Sequence, residues 1–268
     1  MEASHMSRSL PSLRGKVCLV TGASRGLGVT IARTLAAQAA AVAVHYHRST
    51  AEALALCAEL TVQGANACAV QADLLDPGAV QPLVDAVTTQ LGAIDILVNN
   101  AGPYVDAPFL DLSVAEFDRV MHGNVRATYL LMQLVGRQMR ARGAGRIINI
   151  AATDYRHRSH SVYGLAKAGV VHLTEAFALE LAPIVPVFAL APDLIADNEE
   201  MDQAFAARAV AASPMQRLVT RAEVATLERA WRRVEENIVS ARRQLVALDE
   251  EGPVRKRTRR VDQQQIIV

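Results

Sequence analysis

The chain has 268 residues, 51% of them hydrophobic and only 4% aromatic, so it can bury one sizeable core of small aliphatic side chains. Its net charge of +1 at pH 7 gives no reason to expect a nucleic-acid partner. Three cysteines, Cys18, Cys57 and Cys68, stand at no metal-ligand spacing, which favours free buried thiols, no metal site and a cytoplasmic protein. No segment is long and apolar enough to predict a membrane span.

Apolar strand patterns and helical patterns alternate along the chain. Residues 1–6 resemble a remnant of an expression tag, so 1–13 are interpreted as that remnant and an N-terminal arm. Strands are predicted at 16–20, 41–46, 67–73, 94–99, 145–151 and 184–189, and helices at 29–40, 50–62, 78–90, 113–139 and 161–181. Ser113 and Glu116 form a capping box at the start of the fourth helix. This order predicts a Rossmann-like doubly wound α/β domain with a parallel sheet over residues 14–225.

A glycine-rich turn, Thr21-Gly22-Ala23-Ser24-Arg25-Gly26-Leu27-Gly28, joins the first strand to the first helix. Gly22 permits a tight turn, Gly26 lets the backbone approach a pyrophosphate, and Gly28 lets the helix pack on the strand. The phosphate would bind at the helix N-terminus, where unpaired N–H groups favour an anion. The spacing departs from the common Gly-x-Gly-x-x-Gly fingerprint, so a turn with glycines for packing only is the alternative.

Tyr163 and Lys167 stand four residues apart within a predicted helix, and therefore lie on one helical face. A nearby cation lowers the pKa of a phenol because it favours the phenolate, which would let Tyr163 exchange a proton near neutral pH. Only three of the 28 basic residues are lysines, so a lysine at this position indicates a specific role rather than chance. The pair alone is a weak signal, but after a nucleotide-binding turn and the turn Asn99-Asn100-Ala101-Gly102 it is strong.

From about residue 16 to 225 the chain resembles the short-chain dehydrogenase/reductase family. The resemblance rests on five features in the family's order, namely the glycine-rich turn, Asp73, the segment 99–102, Asn124 and the Tyr163/Lys167 pair. It implies hydride transfer between a nicotinamide and a carbonyl or related carbon, with Tyr163 as general acid/base. By the same resemblance Lys167 binds the nicotinamide ribose and assists the tyrosine, and Asn124 holds a water that relays protons. Asp73 would meet the adenine, and Asn100 would line the adenosine and ribose side.

The end of the second predicted strand favours NADP(H). NAD-preferring sites carry a carboxylate there, whereas this chain has His45-Tyr46-His47-Arg48-Ser49, with Arg25 in the glycine turn. Arginines grip a 2′-phosphate, and the segment resembles the NADPH-binding run of pteridine reductases. A merely basic surface loop is a plausible alternative for His45, less so for Arg25 and Arg48 together. The predicted cofactor contacts are Gly22, Ser24, Arg25, Gly26, Leu27, Gly28, His47, Arg48, Ser49, Asp73, Asn100, Ala101, Gly102, Tyr163 and Lys167.

Two departures from the family lie near the predicted substrate. The family's serine, or aspartate in pteridine reductases, falls on Ala152, in a loop about two residues shorter than usual. Thr153 is predicted to supply the missing hydroxyl as a catalytic residue, with Asp154 as the other candidate. Gly26 replaces an arginine of pteridine reductases, which puts a pterin substrate in doubt, although Tyr104 could stack on a flat ring.

The family's last strand and its Val-Asp-Gly-Gly-like ending are absent from the sequence. Apolar residues instead recur at steps of four and three, which predicts an atypical amphipathic C-terminal helix over 226–252. This helix could pack on its own domain, form a coiled coil between subunits, or come from a frameshift or fusion. Residues 253–268 form a basic, disordered tail by this interpretation.

These features together predict an NADP(H)-dependent oxidoreductase that reduces a small carbonyl substrate, 3-oxoacyl-like or pterin-like. The alternative is a catalytically impaired NADP(H)-binding or interaction protein on the same scaffold, since the serine and last strand are missing. Substrate choice would depend on residues 193–215, whose pattern suggests a helical lid. We expect a homodimer or homotetramer.

Overall fold

A computed structural model describes residues 12–105, 107–152, 161–197, 203–213 and 215–225. The strands of this part of the chain are β1 (Val17–Val20), β2 (Ala41–Tyr46), β3 (Ala67–Gln71), β4 (Ile96–Asn99), β5 (Arg146–Ile150) and β6 (Val187–Leu190). The helices are α1 (Gly26–Ala37), α2 (Thr50–Val62), α3 (Val80–Leu91), α4 (Val114–Met121), α5 (Ala127–Arg142), α6 (Val162–Leu181), α7 (Gln203–Ala212) and α8 (Arg221–Ala225). A 3₁₀ turn (Pro77–Ala79) precedes α3, and a π turn (His122–Arg126) joins α4 to α5.

The six strands form one parallel sheet in the order β3-β2-β1-β4-β5-β6. Val20 at the end of β1 lies opposite Val44 of β2 and Val98 of β4. The order of the strands along the chain reverses between β1 and β4, and ligands of open α/β sheets bind outside the carboxyl ends of the strands at such a point. The predicted Rossmann-like fold is therefore confirmed, and its switch point lies beside the glycine-rich turn.

Neighbouring strand residues point to opposite faces of the sheet, and helices cover both. Leu19 and Leu97 pack with Leu83 of α3 and Met132 of α5 on one face. Val20, Val44 and Val98 pack with residues of α1 and α2 on the other face. This double coverage explains why the strands read as continuous apolar runs rather than alternating ones.

Several helix and strand boundaries differ from the sequence-based expectations. The strand at 41–46 and the helix at 50–62 agree residue for residue, but α1 begins at Gly26 rather than at residue 29, so Leu27 and Gly28 belong to its first turn. The helix expected at 113–139 is wrong as a single α-helix, since the π turn interrupts it, and its second part runs to Arg142. Gly143, with φ of +74°, ends it in the left-handed conformation.

Serine side chains cap the first turns of α4 and α6. Ser113 Oγ accepts from the Glu116 N–H at 3.2 Å, as the predicted capping box requires, and donates to the Glu116 carboxylate at 3.2 Å. Ser161 Oγ accepts from the Gly164 N–H at 3.1 Å and so caps α6. The cap fixes the first turn of the helix that carries the tyrosine–lysine pair.

The expected helix at 226–252, the tail at 253–268 and most of the N-terminal arm lie outside the described residues. Within the described ranges, no helix combines the length and apolarity needed to cross a membrane.

Candidate active site

The three glycines of the glycine-rich turn have different surroundings. A Cβ at Gly28 would collide with the carbonyl oxygen of Gly22, and a Cβ at Gly22 would lie 3.0 Å from Ala101 Cα. Gly26 has φ of +59° and nothing within 4 Å of the place a Cβ would take. Gly22 and Gly28 thus serve close packing, while Gly26 leaves open space at the start of α1. The Arg25 side chain makes no capping hydrogen bond to α1, so the first N–H groups of the helix remain suited to an anion.

The glycine turn is fixed to the Asn-Asn-Ala-Gly turn that follows β4. Thr21 Oγ1 accepts from the backbone N–H of Asn100 at 2.9 Å and of Ala101 at 3.0 Å. Asn100 Nδ2 donates to Thr21 O at 2.9 Å and to Gly22 O at 3.2 Å. The Asn100 side chain therefore braces the turn from which cofactor contacts are predicted, and Ala101 lies directly against Gly22.

The carboxyl ends of β2 and β3 bring the predicted adenosine-side residues together. His47 Nε2 lies 3.6 Å from Asp73 Oδ2, and both side chains are partly exposed. Gln71 Nε2 donates to His47 O at 2.9 Å, while Asp73 Oδ1 accepts from Leu75 N–H at 3.0 Å. Both arginines predicted at the 2′-phosphate, Arg25 and Arg48, are exposed. The fit to a 2′-phosphate depends on these cations and on the absence of a carboxylate just after Tyr46.

Lys167 is buried beneath Tyr163 on α6. Its side chain is only 4% exposed, and Nζ donates to the backbone oxygen of Ile150 at 2.8 Å. Burial lowers the pKa of Lys167 to about 8. Nζ lies 5.3 Å from the centre of the Tyr163 ring, so the predicted pairing is present. The fold holds this ammonium at the carboxyl end of β5, where a carbonyl oxygen is its acceptor.

The Tyr104 ring packs against the Tyr163 ring. The two ring centres are 5.0 Å apart with an angle of 71° between the planes, an edge-to-face arrangement. Tyr104 is exposed and follows directly after Pro103 in the loop beyond β4. This aromatic therefore contacts the predicted proton donor and also presents ring surface to solvent.

Asn124 lies in the π turn, which packs against α6. Its Nδ2 donates to Pro103 O at 2.9 Å and to Val120 O at 3.0 Å, whereas its buried Oδ1 has no hydrogen-bond partner among the described residues. A Cβ at Gly102 would collide with that oxygen, so a larger residue there would displace the Asn124 side chain. Single π turns are frequent at functional sites because the extra residue redirects a side chain.

A buried polar chain that sequence reasoning missed runs beneath the site. Thr174 Oγ1 donates to Val170 O at 2.7 Å, so it can only accept from Asn149 Nδ2, which lies at 2.9 Å. Asn149 Oδ1 then faces Asn99 and accepts from Asn99 Nδ2 at 2.8 Å. The chain ties α6 to β5 and β4. An asparagine among the isoleucines at 147, 148 and 150 was the available signal.

The alternative that His45 belongs to a basic surface loop is wrong, and the predicted strand at 41–46 holds it instead. It lies within β2 and is 2% exposed. Its Nδ1 accepts from the Gly22 N–H at 3.0 Å, and its Nε2 lies 3.2 Å from Ala72 O.

The remaining predicted contacts, Ser24, Leu27 and Ser49, are buried or partly buried at the same edge of the sheet. The predicted substrate-orienting residues, Thr153 and Asp154, lie outside the described residues.

The chain belongs to the short-chain dehydrogenase/reductase family. The family model described as short chain dehydrogenase matches residues 16–238. The match continues beyond Ala225, where the resemblance was expected to end.

Relatives and solved structures agree with this assignment. A 3-oxoacyl-[acyl-carrier-protein] reductase from Synechocystis sp. is 37% identical over 192 residues, which cover 70% of this chain and 78% of the relative. A blue fluorescent protein from a metagenomic library, in complex with NADPH, superimposes with a TM-score of 0.75 at 32% identity, covering 81% of this chain and 90% of that one. The FolM alternative dihydrofolate reductase 1 from Brucella canis, complexed with NADP, gives a TM-score of 0.74 at 29% identity, with 80% and 86% covered.

Proposed function

We propose that this protein is an NADP(H)-dependent oxidoreductase that reduces a small carbonyl substrate, with Tyr163 as proton donor. The observation that carries the proposal is the Lys167 ammonium, buried 5.3 Å from the Tyr163 ring and held by Ile150 O. A cation is costly to bury, so a fold that holds one on a carbonyl oxygen beneath a phenol, beside a nucleotide-binding turn, favours proton-transfer chemistry.

The chemistry divides between the cofactor and the residues of the chain. When bound, NADPH supplies the hydride. Tyr163 would donate its hydroxyl proton to the substrate oxygen, and the nearby Lys167 ammonium would stabilise the phenolate that is left. The buried Asn124 Oδ1 is an acceptor of the kind that ordered water satisfies, which supports its proposed role in resupplying protons through water.

Preference for the phosphorylated cofactor is proposed from both the residues and the neighbours. Arg25 and Arg48 are exposed at the edge where the 2′ position of the ribose would lie, next to Ser49. Guanidinium groups bind phosphate oxygens bidentately, which a carboxylate at this place would prevent. The structural neighbours complexed with NADPH and NADP support the same choice.

Two substrate classes remain as proposals. The relative named as a 3-oxoacyl-[acyl-carrier-protein] reductase supports a 3-oxoacyl-like substrate. The exposed ring of Tyr104, edge-on to Tyr163, and the neighbour named as an alternative dihydrofolate reductase support a flat pterin-like substrate. In either case we propose that Thr153, or else Asp154, orients the substrate in place of the serine missing at Ala152. A homodimer or homotetramer is proposed as the assembly.

A panel assay tests the function. NADPH consumption is followed at fixed enzyme concentration with a 3-oxoacyl thioester, a simple ketone and a dihydropterin, each compared with a reaction lacking substrate. Turnover of any of them above the blank supports the reductase and identifies its class. Tight NADPH binding without turnover of any of the three compounds would favour the alternative, an impaired binding protein whose substrate-orienting residue is lost at Ala152.

A further inference from the structure

His45 lies at the centre of the predicted cofactor edge, yet its side chain faces the protein interior. The residue belongs to β2 and is 2% exposed, and both ring nitrogens have a backbone partner. The Gly22 N–H donates to Nδ1 at 3.0 Å, while Nε2 lies 3.2 Å from Ala72 O. One imidazole thus bridges the start of the glycine-rich turn and the end of β3.

The two contacts fix the protonation state of the ring. Because Gly22 donates, Nδ1 must carry a lone pair, so the hydrogen is on Nε2 and points at Ala72 O. Burial, as the largest cause, lowers the pKa of His45 to about 4, which keeps the ring neutral at pH 7. The hydrogen bond to Ala72 O and the Asp73 carboxylate favour its protonation, whereas His47 opposes it.

The backbone of His45 holds the same turn a second time. Its carbonyl oxygen accepts from the Ala23 N–H at 2.9 Å. Consecutive N–H groups of Gly22 and Ala23 are therefore both held by this one residue, and Gly22 keeps φ of +62°. The N–H groups further along the turn, at the start of α1, are the ones suited to a pyrophosphate.

We propose that His45 is a cofactor-positioning residue, whose Nδ1 acceptor sets the conformation of the phosphate-binding turn and hence the affinity for the pyrophosphate. The inference rests on the proposed function, because it assumes a dinucleotide in this turn. It assigns to His45 a role different from that of Arg48. His45 acts on the pyrophosphate shared by NADPH and NADH, whereas Arg48 acts on the 2′-phosphate that only NADPH carries.

A matched pair of substitutions separates the two ring contacts. In His45→Asn the amide oxygen replaces Nδ1 and keeps an acceptor for Gly22, but the donor to Ala72 is lost. In His45→Gln the terminal amide replaces Nε2 and keeps the donor to Ala72, but the Gly22 N–H loses its acceptor. Both variants lose one buried hydrogen bond, so a purely structural role would affect them alike.

Cofactor binding is measured directly, by the fluorescence of NADPH and NADH titrated with the full-length protein. We expect His45→Gln to bind both cofactors about tenfold more weakly, in keeping with an unsatisfied buried N–H, and to leave the ratio of the two affinities unchanged. His45→Asn should bind within about twofold of the parent. Equal losses in both variants, or parental binding by His45→Gln, would overturn the proposal.

The folding of the variants and the proposed function are controlled separately. Thermal unfolding midpoints of the two variants show whether an affinity loss follows lost stability. Should His45→Gln not fold, the imidazole nitrogen shifts of His45 in the parent provide a second readout. A ring protonated on Nε2 whose Nδ1 signal moves when NADH binds supports the inference, while a ring protonated on Nδ1 refutes it. A parent that binds neither cofactor would instead refute the proposed function.

Discussion

Replacing Lys167 by methionine should make the protein more stable and inactive. The parent keeps an ammonium in a site where its side chain is only 4% exposed, with Ile150 O as acceptor. A lysine pKa of about 8 in the fold against 10.5 ordinarily corresponds to about 3 kcal/mol, at 1.36 kcal/mol per pKa unit. Losing the hydrogen bond to Ile150 O returns about 1 kcal/mol of that. The net gain at pH 7 should therefore be about 2 kcal/mol.

The pH dependence gives the sign of the effect. Because the pKa of Lys167 is lowered in the fold, the unfolded chain binds more protons between about pH 8 and 10.5. The stability of the parent, relative to the variant, should rise with pH across that window and stay constant below it. Relief of the burial cost of about 3 kcal/mol exceeds the advantage of about 2 kcal/mol, so the parent should become slightly more stable than Lys167→Met by about pH 10.5. Titrations of other groups cancel in this difference.

Urea unfolding of both proteins, at equal concentration and without cofactor, measures the difference at several pH values. Lys16→Met is the matched control, since Lys16 is half exposed and pairs with Asp95 at 3.5 Å, so its removal should matter little. A Lys167→Met variant less stable than the parent at pH 7, or a difference in stability independent of pH, would show that burial of the Lys167 ammonium does not destabilise the fold.

Two further substitutions test the cofactor edge and the buried polar chain. The parent should bind NADPH at least about tenfold more tightly than NADH, and Arg48→Asp should remove or reverse that order because it places a carboxylate where the 2′-phosphate would lie. Titration of both cofactors checks this, and equal affinities in the parent would refute it. Thr174→Val should cost about 1 to 3 kcal/mol of unfolding free energy because it leaves the buried Asn149 amide without its oxygen acceptor. Thr88→Val is its control, since the Thr88 hydroxyl donates within its own helix, to Val84 O at 2.8 Å. A urea midpoint that falls equally in both variants would contradict the role of the buried polar chain.

The architecture could be predicted from the sequence because its signals are local. Continuous apolar runs such as the one ending at Val20 require cover on both faces of a sheet, and the four-residue spacing of Tyr163 and Lys167 places both on one helical face. The acceptor of Lys167 could not be predicted, since Ile150 O comes from a strand that only the tertiary fold brings near.

The misses have the same physical origin. A histidine counts as polar in any sequence pattern, so the burial of His45 becomes intelligible only when Gly22 and Ala72 supply its two backbone partners. The π turn around Asn124 adds one residue to a helical turn. It changes the spacing of the apolar residues too little for the sequence pattern to predict it. Asn149 is a polar residue among the isoleucines of β5. Its partner Thr174 is separated from it in the sequence by the whole loop that contains Thr153.

Tyr163 is proposed to donate the proton in a hydride-transfer reaction, and the kcat of a Tyr163→Phe variant tests this role. NADPH oxidation by parent and variant is measured with the substrate found in the panel, alongside NADPH binding to both. We expect a fall in kcat of about 100-fold to 10,000-fold, with NADPH affinity nearly unchanged, because only the proton transfer is lost. Parental activity in Tyr163→Phe would contradict it.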